Sequence, residues 1–310
     1  MDSSIGVAVI THRAKDHLKH CLPPLIESSL NPRVLVVNSS SFDGTVEEAE
    51  RLGAETLVIP RHTFNHGSTR ELARKHLGTD IVIMITPDAY AEDDTLIEKL
   101  TLPLRNGDAS IAYGRQLPHR GAGVFESFSR EYNYPALSHI RGIEDLDTYG
   151  IYTFFCSNSC CAWNNQALDS IGGFTHVLLG EDTVAAAKLL REGHKIAYVS
   201  EARVHHSHSY TLWQEFQRHY DTGLARKQYG NLLSGAGRDS KRGKAYTLTL
   251  FRKLFHTRKR LLPYAVLQTL AKWAGYQLGR RTVNAPDLCK RLFSSQDFYW
   301  INKTGIEFSK

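Results

Sequence analysis

An acidic side chain, Asp88, ends a short apolar segment at residues 81–89, which read IVIMITPDA. Such a segment is typical of a strand covered on both faces, where a carboxylate is costly unless it lies at the strand's exit. Ligands of parallel α/β sheets bind at the carboxyl ends of the strands, so we expect Asp88 to face that crevice. Phosphate groups and a hard cation are the ligands that suit such a carboxylate.

Small polar residues follow two other predicted strands. Thr11 follows the first strand, and Asn38 and Ser40 follow the second. With Asp88 they would form one rim of hydrogen-bonding groups beside a carboxylate, which favours a nucleotide-phosphate site. The alternative is a turn that only caps the next helix, since Asn, Ser, Asp and Gly dominate turns for local reasons.

A glycine and an arginine begin another predicted helix, in the segment 62–74, HTFNHGSTRELAR. Gly67 allows close backbone approach, and Arg70 lies in the first helical turn. An arginine there opposes the helix dipole, which predicts that Arg70 holds an anion such as a diphosphate. The alternative is a surface arginine on a solvated helix face.

Two adjacent carboxylates, Glu181 and Asp182, lie near the start of residues 180–193, GEDTVAAAKLLREG, just before a strongly helical sequence. Asp182 alone would be explained as a helix cap. Two neighbouring acids are unusual for capping, and a carboxylate at a helix start that faces the crevice can accept a proton from an incoming hydroxyl. We therefore expect general-base chemistry here.

Three histidines lie just beyond a later strand, in residues 201–211, EARVHHSHSYT. On an extended segment, residues two apart share a face, so His206 and His208 can point the same way and Asp88 can be a third ligand. The pattern favours a metal or phosphate role, although a single histidine is more often structural. Which of His205, His206 and His208 binds stays open.

Strands and helices alternate in the first part of the chain, which predicts right-handed crossovers and a mostly parallel sheet with helices on both faces. A boundary near Ser209 separates a domain at 1–209 from a helical, basic and aromatic region at 210–310. The predicted strands are 5–10, 33–37, 55–59, 81–86, 110–113, 154–163 and 195–199, and the predicted helices are 15–30, 45–52, 68–77, 166–171 and 182–192.

Composition excludes several classes of protein. The chain has 310 residues, 42% hydrophobic and 23% charged, with a net charge of +6, so it is an ordinary globular protein. No segment approaches the roughly 20 apolar residues of a membrane helix, and from the acidic and polar residues of MDSSIGVAVITHR we expect no standard secretion signal. Five cysteines lack paired zinc-site spacing, which predicts reduced thiols in a cytoplasmic protein. Nucleic-acid binding has only the modest positive charge in its favour.

Basic residues concentrate between Arg226 and Arg281, which suggests an anionic partner for the C-terminal region. Together with aromatic residues they would fit the anionic inner face of the cell membrane, where a lipid-linked acceptor would be found. The alternatives are a solvated helical bundle and a homodimer interface. The aromatic residues are Trp213, Phe216, Tyr220 and Tyr229.

The motifs, taken in order, resemble the family-two inverting glycosyltransferases of GT-A fold. More narrowly, they resemble bacterial rhamnosyltransferases that build surface polysaccharides such as lipopolysaccharide. The resemblance extends from about residue 5 to residue 281. It is carried by the VVNSSSFDGT turn, FNHGSTRELAR, TPDA, GGF before GED, the HHSH cluster, FQRHYDTG and GYQLGRR.

This resemblance implies an enzyme that moves a sugar from a nucleotide-sugar donor, such as dTDP-L-rhamnose, to a hydroxyl of a glycan or lipid-linked saccharide with Mg²⁺ or Mn²⁺. It makes Asp182 the catalytic base, with Glu181 beside it, and assigns the metal to Asp88, His206 and His208. Nucleotide-sugar binding is assigned to Thr11, Arg13, Asn38, Ser40, Gly67, Arg70, Asp88 and Ala89.

Two positions depart from the family's pattern. Asn38 stands where relatives usually have a base-contacting acid, and Tyr90 replaces the second acid of a D-x-D motif. A UDP- or GDP-sugar donor is the alternative within the family. The alternative enzyme class is a nucleotidyltransferase. It would require a Gly-rich phosphate-binding loop after the first strand, and the segment THRAKDH contains no glycine. A non-catalytic sugar- or nucleotide-binding subunit would not need both Asp88 and the Glu181–Asp182 pair.

Overall fold

The computed structural model describes residues 3–235 and 239–304. The chain divides into two compact units, which are described separately. The first contains Met1–Val177 and Glu181–His208, and the second contains Leu178–Gly180 and Ser209–Lys310. The domain limits of 1–209 and 210–310 stay a prediction. Among the described residues, no helix combines the length and the apolar character that crossing a bilayer requires.

Four parallel strands form one half of the sheet of the first unit, in the order β3-β2-β1-β4. Their residues are largely β-branched and apolar, and β4 is buried along its whole length, as expected for strands covered on both faces. These strands are β1 (Ile5–Thr11), β2 (Arg33–Asn38), β3 (Glu55–Val58) and β4 (Ile81–Ile85).

The other half of the sheet is mixed. β8 is antiparallel to both β4 and β6, β9 is parallel to β6, and β5 and β7 are antiparallel to β9. The predicted α/β sheet is therefore confirmed, but parallel pairing predominates only in its first half. The strands are β5 (Tyr90–Ala91), β6 (Ile111–Leu117), β7 (His139–Arg141), β8 (Cys160–Asn164) and β9 (Ile196–His205).

Helices cover both faces of the parallel half. Val7 and Val9 pack with helix residues such as Leu18 and Leu100 in one core. Gly6 faces the opposite side, where Leu77 and Thr79 leave no room for a side chain. The helices of this unit are α1 (Lys15–Cys21), α2 (Pro23–Ile26), α3 (Thr45–Arg51), α4 (His66–Leu77), α5 (Leu96–Arg105), α6 (Val124–Asn133), α7 (Leu146–Tyr149), α8 (Asn165–Ser170) and α9 (Glu181–Arg191).

Among the predicted elements, a helix and a strand in the first unit were wrong in part. The helix expected at 15–30 is split into α1 and α2, because Pro23 starts a new helix and cannot continue the old one. The strand expected at 154–163 begins only at Cys160. Before it, Gly150–Phe154 is a 3₁₀ helix, and the guanidinium of Arg141 binds the carbonyl oxygens of Thr153 and Phe155.

The second unit is helical, as predicted. Its two most extensively packed helices, α10 and α12, approach backbone to backbone at glycines. A Cβ on Gly275 would lie 2.2 Å from the carbonyl oxygen of Phe216, and one on Gly279 would lie 2.1 Å from that of Tyr220. The helices are α10 (Leu212–Gln228), α11 (Asp239–Thr257), α12 (Leu262–Arg281), α13 (Asp287–Phe293) and α14 (Asp297–Thr304).

The core of this unit corrects one expectation about its aromatic residues. Tyr220 is fully buried and packs with Leu224 and Trp300, so it cannot contact a membrane surface. Its hydroxyl makes a hydrogen bond of 2.8 Å with Thr282. Trp213, by contrast, is about half exposed.

Candidate active site

The structure brings Asp88 together with His206 and His208. Asp88 follows β4, and the short strand β5 pairs with the end of β9, which places the two histidines beside the carboxylate. Asp88 Oδ1 lies 3.5 Å from His206 Nε2, and Asp88 Oδ2 lies 3.5 Å from His208 Nε2. One ligand atom from each residue lies within 4.8 Å of the other two, so this cluster could hold a metal ion.

A buried glutamine fixes the orientation of His206. Arg130 Nη1 donates to Gln116 Oε1 at 2.6 Å, and the same oxygen lies 2.9 Å from His206 Nδ1. An amide oxygen only accepts, so Nδ1 must carry the proton that His206 donates. Nε2 then faces Asp88 either as a lone pair or as the second N–H of an imidazolium ion. A cation would satisfy both the lone pair and the carboxylate.

The charge state of Asp88 also suits the binding of a cation. Burial alone would raise its pKa, but the hydrogen bond and charge of His206 and the charge of His208 outweigh burial and hold the pKa of Asp88 well below its usual range. The carboxylate is therefore ionised at neutral pH and available to a cation.

Glu181 and Asp182 form the second cluster, at the start of α9. Glu181 Oε1 lies 3.0 Å from Arg70 Nη1 and accepts a hydrogen bond of 3.0 Å from Asn158 Nδ2. The Oδ atoms of Asp182 accept from the backbone N–H groups of Thr183 at 2.6 Å and Asn158 at 3.3 Å. Asp182 is thus positioned by the backbone, while Glu181 is held by side chains.

The two carboxyl groups titrate differently. Burial would raise the pKa of Glu181, but Arg70, His66 and the Asn158 hydrogen bond lower it overall. Burial, together with the negative charge of Glu181, raises the pKa of Asp182 to about 6. A carboxylate with a raised pKa accepts a proton more readily, which is the property a general base needs.

One short segment links the two clusters. Ser157 Oγ accepts a hydrogen bond of 3.1 Å from Gln116, which orients His206, and the next residue, Asn158, contacts both Glu181 and Asp182. Segment 157–159 leads into β8, the antiparallel neighbour of β4. The metal-ligand candidates and the candidate base therefore lie at neighbouring positions along one edge of the sheet.

The predicted phosphate-binding residues at the ends of β1 and β2 also lie together. Asn38 is buried and donates to Ser41 Oγ at 2.7 Å and to Thr11 Oγ1 at 3.3 Å. Ser40 donates to the carbonyl of Ile59 at 2.7 Å. Ser40 and Arg13 have positive φ values of 49° and 53°, which shows that the two turns are tightly shaped. Ala89 is buried in the turn after β4.

The start of α4 differs from the prediction. The helix begins at His66 rather than Ser68, because Asn65 accepts hydrogen bonds from the N–H groups of Gly67 and Ser68 and so caps it. Gly67 is needed for protein packing, since a Cβ there would lie 1.9 Å from the carbonyl oxygen of Thr175. The anion that Arg70 holds in this structure is the carboxylate of Glu181. The Nε atom of Arg70 has no hydrogen-bond partner among the described residues.

Several residues of the site carry no sequence signal that singled them out. Gln116, Arg130 and Asn158 act through side-chain contacts with residues distant in the chain. His119 was also missed. Its ring lies 5.0 Å from that of Tyr90, centroid to centroid, and burial and the charge of His206 are the main causes that lower its pKa. Only the unusual number of histidines near strand ends could have pointed to it.

Comparison with known proteins gives the family context of this site. The model of glycosyl transferase family 2 matches residues 6–172. The O-antigen chain rhamnosyltransferase RfbN of Salmonella typhimurium LT2 is 33% identical over 302 residues, which cover 96% of each chain. The O-antigen chain rhamnosyltransferase WbaN of Salmonella anatum is 34% identical over 272 residues, 87% of this chain and 86% of that protein.

Solved structures share the fold. The mannosyltransferase PcManGT of Pyrobaculum calidifontis, solved with GDP-Man and Mn²⁺, has a TM-score of 0.56 at 14% identity, covering 98% of this chain and 80% of that one. TarS 1-349 of S. aureus has a TM-score of 0.55 at 16% identity, covering 99% and 93%. The predicted α/β fold of GT-A type is thereby confirmed.

Proposed function

Because the chain belongs to glycosyltransferase family 2 and is a glycosyltransferase, we propose that it transfers L-rhamnose from dTDP-L-rhamnose to a hydroxyl of a glycan or lipid-linked saccharide. The names of the two relatives, both O-antigen chain rhamnosyltransferases, support this sugar and this class of acceptor. We also propose that this transfer is a step in the synthesis of a bacterial surface polysaccharide. The predicted cytoplasmic location accompanies this proposal.

Donor binding falls to the rim at the ends of β1, β2 and β4. Ser40 lies on this rim, Thr11 and Asn38 support it from the buried side through their mutual hydrogen bond, and Arg13 adds a positive charge in the turn after β1. We keep Gly67, Arg70 and Ala89 as proposed neighbours of the diphosphate. The ion pair with Glu181 holds the guanidinium of Arg70 in place, and the charge of Glu181 offsets that of Arg70.

The proposed metal site consists of Asp88, His206 and His208. One carboxylate and two imidazoles could hold a divalent cation, and we propose Mg²⁺ or Mn²⁺. When bound, the cation would act as a Lewis acid that offsets negative charge on the departing nucleoside diphosphate. Gln116 contributes by holding His206 in the tautomer whose Nε2 lone pair faces Asp88.

Asp182 is the proposed catalytic base. It would take the proton from the acceptor hydroxyl as that oxygen attacks the anomeric carbon from the face opposite the leaving group, so that a single displacement inverts the centre. The negative charge of Glu181, kept ionised by Arg70, makes Asp182 a stronger base. The proximity of this base to the Asp88 cluster, through Ser157 and Asn158, is the observation that carries the mechanism.

A thermal-shift comparison of dTDP, UDP and GDP, each with and without Mn²⁺, tests the proposal. A ligand at 100 times its Kd stabilises the folded state by about 2.7 kcal/mol, which raises the melting temperature by several degrees. We expect dTDP with Mn²⁺ to give the largest shift. A larger shift with GDP, the nucleotide of the PcManGT complex, or with UDP would redirect the donor assignment, and no shift with any diphosphate would contradict the proposed site.

A further inference from the structure

The outward face of α12 is an exposed apolar surface. Its aliphatic and aromatic residues recur at helical spacing and keep 43–61% of their surface exposed. The opposite face of the same helix, with Gln268, Gly275 and Gly279, is buried in the second unit. We call the exposed set the α12 surface; it consists of Val266, Leu267, Leu270 and Trp273.

A helix that is apolar on both faces is normally covered on both faces. Contiguous exposed apolar surface of this kind marks an interaction site in soluble proteins. The charges around it indicate what the partner is. Residues 241–286 contain eleven lysines and arginines and no acidic residue. The exposed basic groups nearest in sequence are Arg258, Lys259 and Arg260 before the helix, and Arg280 and Arg281 at its end.

We propose that the α12 surface inserts into an anionic bilayer surface. Aliphatic side chains would enter the boundary between headgroups and acyl chains, and Trp273 has the amphipathic ring that favours this depth. The basic groups at both ends of the helix would contact anionic headgroups. Bilayer binding itself does not depend on the proposed function. Only its biological role does, because a lipid-linked acceptor would lie at such a surface.

A second copy of the chain fits this surface less well. In a two-fold pairing of α12 with itself, the residues 258–260 of one copy would meet either the same residues or 280–281 of the other copy. Both arrangements set positive charge against positive charge, which disfavours the pair. The adjacent helix α11 is also apolar and basic on its exposed surface. It exposes Leu248 and Phe255 and has no acidic residue after residue 240 that could pair with the basic groups of a second copy.

Vesicle flotation tests the proposal without any sugar transfer. We expect the protein to float with vesicles of phosphatidylcholine that contain roughly one third phosphatidylglycerol, and not with phosphatidylcholine alone. The triple variant L267S/L270S/W273S should lose flotation at least tenfold. The variant L288S/L292S is the matched control, because it changes two leucines on α13 that are even more exposed, and it should float like the original protein.

The basic groups have their own variant. Because a basic residue near an anionic surface changes affinity by about fivefold, R258Q/K259Q/R260Q should bind the anionic vesicles about 100-fold more weakly. Unchanged flotation in either triple variant, or no flotation of the original protein, would overturn the proposal. A dimer that forms with rising concentration and is lost in L267S/L270S/W273S would overturn it in favour of a second copy.

Tryptophan fluorescence gives a readout that does not depend on how the triple variant folds. Of the four tryptophans, Trp163 and Trp300 are buried, so the W213F variant leaves Trp273 as the exposed one. Brominated acyl chains in the anionic vesicles should quench its emission. Absence of quenching while the protein floats would show that another surface binds the bilayer. If no nucleotide shifted the melting temperature, the proposed function would fail, but the expected flotation and quenching would stay the same.

Discussion

Replacement of Gln116 by leucine should weaken metal binding, although it leaves all three proposed metal ligands in the chain. Gln116 is only 2% exposed, and its amide oxygen is the acceptor for both His206 Nδ1 at 2.9 Å and Arg130 Nη1 at 2.6 Å. Leucine fills a similar volume but accepts no hydrogen bond. The proton of His206 is then free to move to Nε2, the atom that faces Asp88.

The expected loss of Mn²⁺ affinity is about 10- to 100-fold, the usual effect of removing a residue that orients a metal-binding histidine. This corresponds to about 1.4–2.7 kcal/mol. Arg130 also loses an acceptor, which should lower the free energy of unfolding by about 1–3 kcal/mol. Mn²⁺ affinity is measured by electron paramagnetic resonance of the free ion, with saturating dTDP present.

Two controls separate orientation from stability. Gln116→Glu keeps an acceptor for His206 and Arg130, so its Mn²⁺ affinity should stay within a few fold of the original. Asn165→Leu removes a buried amide that donates to the Thr79 carbonyl at 2.6 Å, so it should destabilise the first unit without changing Mn²⁺ affinity. If Gln116→Leu binds Mn²⁺ within twofold of the original protein, Gln116 does not orient a metal ligand.

Other predictions concern the acid pair and the helix packing. Since Asp182 works deprotonated and its pKa is raised to about 6, kcat/KM should be constant above that pH and fall about tenfold per pH unit below it. Glu181→Gln removes a charge that raises this pKa, so the acid limb should move to lower pH; a pH–rate profile whose limb stays fixed would exclude the coupling. Gly279→Ala should cost about 1–3 kcal/mol, because its Cβ would meet the Tyr220 carbonyl. Gly243→Ala on α11 meets nothing within 4 Å and should instead stabilise by up to about 1 kcal/mol; thermal unfolding of both variants checks the contrast.

The sequence predicted the parts of this fold that depend on local pattern. The apolar strands β1, β2 and β4 and the acid-started helix α9 lie where their periodicity placed them. Predictions failed where a distant contact decides. Arg141 takes up the carbonyl groups of Thr153 and Phe155, so the apolar residues before Cys160 do not form a strand.

The candidate site shows the same limit. Asp88, His206 and His208 were grouped from the sequence because residue type and strand ends bring such groups together, and the geometry agrees. The anion held by Arg70 and the neighbour of Gly67 could not be foreseen, because Glu181 and Thr175 lie more than one hundred residues further along the chain. Orientation of His206 by Gln116 is likewise a tertiary contact with no local pattern.

The central claim is that Asp182 removes the proton of the acceptor hydroxyl during rhamnosyl transfer and does not itself bind the donor. The direct measurement is transfer from dTDP-L-rhamnose by Asp182→Asn, with donor affinity determined on the same preparation. Loss of a general base should lower kcat by about 10²–10⁴-fold, while dTDP affinity in Mn²⁺ stays within a few fold. Turnover equal to that of the original protein would contradict the assignment, and so would a loss that comes entirely from weaker donor binding.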